Sequence, residues 1–451
     1  MALPLASPPA RGATREPRLA LRLALARALP VVLAVALPTA AHAQNVGDNF
    51  VTPNLPLEYD RGQNVGVLDR PRPEYEAAGI RVGAFILHPR LELATGFTSN
   101  VYETTARTAD EYASIAPSLQ ATSNWSRDML AVDGGASLMR YFAQARRDQD
   151  DWHIGASGRY DISGDTAIAI SAKTERATEP ATSAAYPTAA AQASQYQVTT
   201  AQFSPSTTLG RVKLQGAYNF TTYSFDPYAT FAGAVVDQSN RDSTSHSGTA
   251  RAEYAITPDT SVFLQGNFDR LTYAYPLLPG VANRSSDSTS FLGGLNFDIA
   301  TKLRGSIGLG YMARRYDSAL YQSISGLTAE LRVDYFLDSL TTVTLTGRRI
   351  LEDSPYVNTS GFVNNSVALR VDHELLRNLL LDAQAAYEHD SFSGVSQTVD
   401  ILRFSAGARY LMSRALGLGL SVSHDSRAAS GALALPTYAE TRVVVSVVVQ
   451  K

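Results

Sequence analysis

The sequence predicts an all-β chain: a transmembrane antiparallel up-and-down β-barrel of about 18 strands, with 16 as the alternative count. Three observations predict it. Apolar and polar residues alternate over ten or more residues in segment after segment, longer than the usual strand of about five or six. Tight polar turns alternate with long connections, as in successive hairpins whose outer loops vary. After the first few dozen residues no apolar run could cross a bilayer as a helix, so a membrane protein here must close its sheet and leave no unpaired edge in lipid.

The hairpin from Phe291 to Asp317 shows the pattern most plainly. Phe291, Leu295, Phe297 and Ile299, then Leu303, Ile307, Leu309 and Tyr311, fall on one face, because successive strand residues point to opposite sides. Asn296, Asp298, Arg304, Ser306, Gly308, Gly310 and Arg314 fall on the other, which is polar or small and could not form a dry core. The turn between the two strands is Ala300-Thr301-Lys302. Further turns are expected at 125–128, 163–166, 204–207, 257–260, 337–339, 376–378 and 413–415, the 204–207 one carried by Ser204-Pro205-Ser206-Thr207.

Composition narrows the class. With 45% hydrophobic and 18% charged residues and a net charge of -3, the chain is neither disordered nor a nucleic-acid binder by charge. Cysteine is absent, which removes disulfides, thiolate metal sites and a cysteine nucleophile. Tyrosine outnumbers phenylalanine 22 to 16, a bias that suits rings lying at membrane-water boundaries.

Arg11, Arg15, Arg18, Arg22 and Arg27 precede an apolar run from Ala28 to Leu37, and Ala41-His42-Ala43 supplies a small-x-small cleavage site. Residues 1–43 therefore read as a cleavable signal peptide, the mature chain starting at Gln44. The run is far below the roughly 20 residues of a spanning helix, which sets aside a membrane anchor. Residues 44–80 are rich in Pro, Asn and charge and lack alternation; they read as a periplasmic N-terminal extension, either a solvated linker or a partial lumen filler. The barrel is expected to occupy residues 81–451.

Within it, strand one spans Leu91 to Asn100. Trp152, Ile154, Ala156 and Tyr160 face lipid, while His153, Ser157, Arg159 and Asp161 face inward. Leu331, Val333 and Tyr335 oppose Glu330, Arg332 and Asp334, and the last strand carries Val443, Val445, Val447 and Val449. The segments 179–192 and 227–241 are expected to be outer loops. A secreted β-sandwich would also alternate, but its strands are shorter and its connections do not take turns in length.

No catalytic constellation emerges, so the chain is not expected to be an enzyme, and no cofactor or metal is implied. His424 and Asp425 are neighbours on a strand and point to opposite faces, so they cannot act as an orienting pair. His373 beside Asp372 has the same defect. The inward charges are the better lead: Arg304, Arg314, Glu330, Arg332, Asp334, Arg348, Arg370, Asp372, Arg403 and Arg409 are the lumen-lining candidates. Both signs are present, which fits water-mediated contact with polar solutes better than a single-sign selectivity ring. The alternative for each is an ion pair that stiffens the wall.

Arg72-Pro73-Glu74-Tyr75, then Gly79-Ile80-Arg81-Val82-Gly83 leading to Pro89, Asn100, Pro117-Ser118-Leu119 and Ser123-Asn124-Trp125-Ser126, resemble the outer-membrane β-barrel porins found with bacterial exopolysaccharide and capsule gene clusters. The resemblance is most specific over residues 70–142. It implies location in the outer membrane of a Gram-negative bacterium and a part in polysaccharide export, as a passive conduit working with a periplasmic polysaccharide-export protein. Lipid, lipopolysaccharide and the barrel assembly machinery are the further partners expected, and oligomeric state stays open. Two other roles remain compatible with the residues: a general or substrate-specific nutrient porin, and a plugged structural barrel that anchors surface polysaccharide. One departure is the C-terminus, Val449-Gln450-Lys451, where such barrels commonly end on an aromatic.

Overall fold

The computed structural model describes residues 64–451 apart from 188–189, 300–301, 355, 357–358, 434 and 436. The expected signal peptide and residues 44–63 of the extension lie outside the described residues. Eighteen long strands of 13 to 16 residues form one antiparallel sheet in chain order. They are β1 (Phe85–Thr98), β2 (Asp110–Ser123), β3 (Met129–Tyr141), β4 (Gln149–Asp161), β5 (Thr166–Thr178), β6 (Gln195–Leu209), β7 (Val212–Phe225), β8 (Ser243–Thr257) and β9 (Thr260–Tyr273). The second half comprises β10 (Ser286–Ile299), β11 (Leu303–Tyr316), β12 (Ile324–Asp338), β13 (Thr341–Asp353), β14 (Gly361–Leu376), β15 (Leu379–Phe392), β16 (Gln397–Leu411), β17 (Leu416–Gly431) and β18 (Tyr438–Gln450). The first and last strands pair from Arg90 with Gln450 to Thr98 with Arg442, which closes the barrel. Closure matters physically, because every strand then has a neighbour on each side.

The barrel is inside out relative to a water-soluble protein. Leu264, Phe291, Leu309 and Leu327 are 67% exposed or more, whereas Asp298, Arg314 and Asn296 on the opposite face are buried to 2% or less. Apolar outside and polar inside is the stable arrangement only when the surroundings are hydrocarbon. The inner wall is close-packed where small residues allow it. Phe263 points inward from β9, and a Cβ on Gly294 would come within 2.5 Å of its ring, one on Gly308 within 3.2 Å. The ring thus occupies the space two glycines leave on β10 and β11, and the Arg251 guanidinium stacks 3.7 Å from its centre.

Connections alternate as the sequence predicts. At one end, the turn end, they hold two to five residues; at the other, the loop end, four to seventeen. One turn is misplaced by the sequence reading. Ser204 to Thr207 lie inside β6, and the chain reverses at Gly210-Arg211, where Gly210 has φ of 61°. Ser-Pro-Ser-Thr looks like turn chemistry, but Pro205 sits where the ladder to β7 is interrupted, between the pairs Phe203–Tyr218 and Ser206–Gln215, the kind of break at which a strand accommodates a residue without an N–H. Strand one also starts earlier than expected, at Phe85, and stops at Thr98.

The extension's described part, residues 64–79, runs along the turn end from β17 to β10. Arg414 donates to the Pro73 carbonyl at 2.7 Å and Arg377 to Glu74 at 2.7 Å. Arg70 and Arg72 reach Glu374 at 3.1 and 2.6 Å. The Val67 N–H donates to Thr342, and Asn64 donates to Asp298 at 2.8 Å. This segment is therefore a strap pinned to successive hairpins, with Val67 1% exposed, rather than a free linker.

Candidate functional site

The loop end holds the most constructed part of the molecule. The connection between β5 and β6, residues 179–194, leaves one wall and reaches the far one. Arg427 on β17, 1% exposed, donates to the carbonyls of Ala181 and Ser183 at 2.8 and 2.9 Å. Tyr356 donates its hydroxyl to the Ala184 carbonyl, and Ala184 packs on a cluster of Phe362, Phe392, Val399 and Ile401 from β14 to β16. Nine steps around the eighteen-stranded sheet lead from β5 to β14, so the anchors of Ala184 lie on the opposite side, and Arg427 on β17 lies six steps away through the closure. The loop spans the lumen.

Its base is locked to the connection between β7 and β8. Arg241 donates to both oxygens of Glu179, at 2.6 and 2.9 Å, and Ser194 donates to the same carboxylate at 2.8 Å. Gln238 bridges Ser194 and the Asp226 carbonyl, and the Arg241 guanidinium stacks 3.9 Å from the Phe225 ring centre. Glu179 has no exposed side-chain area, so its charge is held entirely by these partners. Ala190 bridges Thr230, tying the two loops a second time.

A second knot fastens the connection after β1. Glu103 accepts from Arg442 at 2.9 Å and Arg147 at 3.3 Å. It adopts φ of 52°, a left-handed conformation rare for a side chain with a Cβ. Burial, with Glu440 nearby, pushes its carboxyl up to about 7 against the pull of the two arginines. A third knot centres on Asp353, which accepts from the Tyr273 and Tyr316 hydroxyls at 2.6 and 2.9 Å, while Arg284 stacks on Tyr273.

All ten lumen candidates lie on the inward face of their strands, but they differ in reach. Arg304 pairs with Asp334 at 3.2 Å and also donates to the Asn64 carbonyl of the strap. Arg332 stands 3.6 Å from Asp334 and keeps 46% of its side chain exposed. Glu330 faces Arg348 across β12 and β13. Arg370 binds Asp372 at 2.8 Å and lies 3.7 Å from Asp382; Arg403 binds Glu388 at 3.3 Å. The Arg409 Nε is buried without a hydrogen-bond partner among the described residues. Arg314 is fully buried, donating to Ser286 at 2.8 Å with Asp269 at 3.9 Å, so it braces the wall near the third knot.

Residues 72–451 match the protein family described as "Putative beta-barrel porin 2". The chain belongs to this porin family. Among solved structures, the porin is similar to the outer membrane protein OpdK from Pseudomonas aeruginosa, at 14% identity over 81% of this chain and 99% of that one, TM-score 0.43. It is also similar to OccAB3 of Acinetobacter baumannii, at 11% identity over 82% and 100%, TM-score 0.44. A ferric enterobactin receptor mutant from Pseudomonas aeruginosa gives 8% identity over 83% and 82%, TM-score 0.45. No curated protein matches the sequence.

In this porin the sequence reading found the charged wall and missed the constriction. It expected residues 179–192 and 227–241 as outer loops without saying how they fold; in the structure Ala181, Tyr186, Ala190 and Ala191 of the first are buried at 5% or less, while Val235 of the second is 74% exposed. A signal was present: the loop after β5 carries alanine and tyrosine where a solvated loop would carry charge.

Proposed function

We propose that the porin sits in the outer membrane of a Gram-negative bacterium, exported with residues 1–43 removed, and passes small polar solutes by diffusion through its lumen. One observation carries the preference for small solutes: a loop latched across the lumen narrows it, and a polymer would have to thread past Arg427 and the Arg241–Glu179 lock. The paired charges below it, with Arg332, Arg370 and Arg403 partly open to the lumen, support passage of ions and polar solutes of either sign without strong selectivity. The polysaccharide-export role implied by the sequence resemblance has no observation in its favour here, and we place the nutrient-porin role ahead of it. The strap on the turn end is then the periplasmic rim.

Planar-bilayer recording tests this. Purified protein should form steps of steady conductance in salt, and liposomes carrying it should swell in small sugars and amino acids but not in an oligosaccharide too wide for the constriction. A closed barrel with no conductance would reject passage and favour the plugged structural role. Permeation of long polysaccharide past an intact loop would reject the size argument.

A further inference from the structure

The crossing loop and the Glu103 knot sit on consecutive inward rows of the last two strands. On β17 and β18 the register pairs Arg427 with Tyr438, Asp425 with Glu440 and Ser423 with Arg442, each row one inward position nearer the turn end. The first row carries the loop: Arg427 holds the Ala181 and Ser183 carbonyls, and Tyr186 packs with Ala181 and Tyr438. The next two carry the knot. Glu103 accepts from Arg442, which also donates to Glu440 at 2.7 Å, and Thr98 donates to Glu440 as well.

Arg147, from the connection between β3 and β4, joins the two. It lies 3.3 Å from Glu103 on one side and beside the Tyr186 hydroxyl of the crossing loop on the other. The join is incompletely satisfied: the Tyr186 hydroxyl and the Arg147 Nε and Nη1 are buried without hydrogen-bond partners among the described residues. Glu103 adds the strain of its left-handed backbone. Both features bring the docked and undocked states of this corner closer in free energy. The charges are also unequal. Facing the Glu103 carboxyl are two guanidinium groups, Arg442 and Arg147, and two further carboxyls, Glu440 and Asp425. Arg403, beyond Asp425, is engaged by Glu388. Tyr186, Tyr438 and Tyr141, with Tyr112 stacked behind the last, complete the surroundings and stay neutral at ordinary pH. One proton on Glu103 balances the group; without it a buried negative charge is in excess.

We infer that Glu103 is a proton-operated latch on the constriction: with its carboxyl neutral the loop 179–194 stays seated on β17 and β18, and with the carboxylate charged the loop loosens and the lumen widens. A buried carboxylate in excess gains most by reaching water. To do so the connection after β1 must lift, and Arg147 with it, which removes the packing behind Tyr186. Burial first, and Glu440 second, raise the docked carboxyl to about 7 from an ordinary 4.5. The docked state therefore holds more protons between about pH 4.5 and 7, so seating is strongest below that window and weakens as pH rises through it. The widening rests on the lumen passage proposed above.

Hydrogen exchange on the purified full-length porin, read as protection factors for residues 179–194 between pH 5 and pH 8, tests the latch. Protection should fall by about tenfold or more across that range, and single-channel conductance should rise or become noisier with it. Glu103→Gln keeps a neutral group of the same shape and should hold both near their pH 5 values throughout. Glu440→Gln removes the neighbouring carboxylate and should move the midpoint of the fall to lower pH by about half a unit or more, a shift that a merely structural contact would not give. That shift supplies the reading if Glu103→Gln fails to fold. Equal protection at both ends of the range in wild type, a fall in Glu103→Gln as large as in wild type, or an unmoved midpoint in Glu440→Gln overturns the inference. A barrel silent at every pH rejects the lumen passage instead, and the protection factors still decide the latch.

Discussion

Replacing Arg241 with alanine should open the constriction without dissolving the barrel. Glu179 has no exposed side-chain area and Arg241 only 11%, so the substitution leaves a buried carboxylate with Ser194 as its remaining donor. Removing one partner of such a pair costs about 3–5 kcal/mol, because the charge left behind stays desolvated. Stacking on Phe225 adds roughly 0.5–2 kcal/mol to what is lost. The cost falls on the docking of two loops, since neither residue belongs to a strand. At about 1.4 kcal/mol per factor of ten, the undocked population of residues 179–194 should rise by at least two powers of ten. Hydrogen exchange over that loop should accelerate accordingly, and single-channel conductance in planar bilayers should increase or become noisy. Glu179→Gln added to Arg241→Ala should recover part of the protection, because the unpaired charge is gone. Unchanged exchange and conductance in Arg241→Ala would refute the latch, and a double variant as damaged as the single one would refute the buried-charge account of it.

Four other outcomes are expected. Glu103, raised to about 7 by burial, binds more protons folded than unfolded between about pH 4.5 and 7, so its contribution to loop docking is full below that window and is lost as pH rises through it; exchange of residues 99–109 should be slower at pH 5 than at pH 8, and Glu103→Gln should remove the difference. Arg332→Ser should shift ion preference toward cations with little change in melting, while Arg314→Ser, at a fully buried site facing Asp269, should lower the melting temperature with a smaller effect on conductance; the reverse pattern would contradict the assignments. Leu309→Arg, on a 67% exposed outward position, should cost about 2–4 kcal/mol in a lipid-refolding titration if it sits near the bilayer midplane, and under 1 kcal/mol would remove Leu309 from the hydrocarbon. Cysteine at Val235, 74% exposed at the loop end, should react with an impermeant thiol reagent on intact cells while cysteine at Gly164 in the β4–β5 turn should not; the opposite result inverts the topology.

The strand count, the alternation of short and long connections and the inward parity of every lumen candidate were legible because a period of two is a local property. Each residue's face follows from its neighbours alone. Pro205 shows where local reading ends. Its neighbours are turn formers, and only the interrupted ladder to β7, a contact between distant residues, reveals why the chain runs straight through. The strap was legible as a segment without alternation, yet its anchors on Glu374, Thr342 and Asp298 lie more than 230 residues away in sequence, where no spacing argument reaches.

Parity also says nothing of height, and height is what divides the arginines into roles. Arg314 and Arg332 both point inward from neighbouring strands. Arg332 lies toward the turn end, in register with Ser306, and stays open to the lumen; Arg314 lies near the loop end, in register with Ile324, where Tyr273, Tyr316 and Asp353 close over the wall. The same residue type on the same face is therefore a solute contact at one level and a brace at another. What converts one into the other is the set of inward-folded loops, whose anchors Arg427, Arg241 and Arg442 are themselves inward or loop-borne arginines. A wall of mixed charge in this porin thus serves two ends at once: near the turn end it faces the passing solute, and near the loop end it holds the loops that decide which solutes arrive.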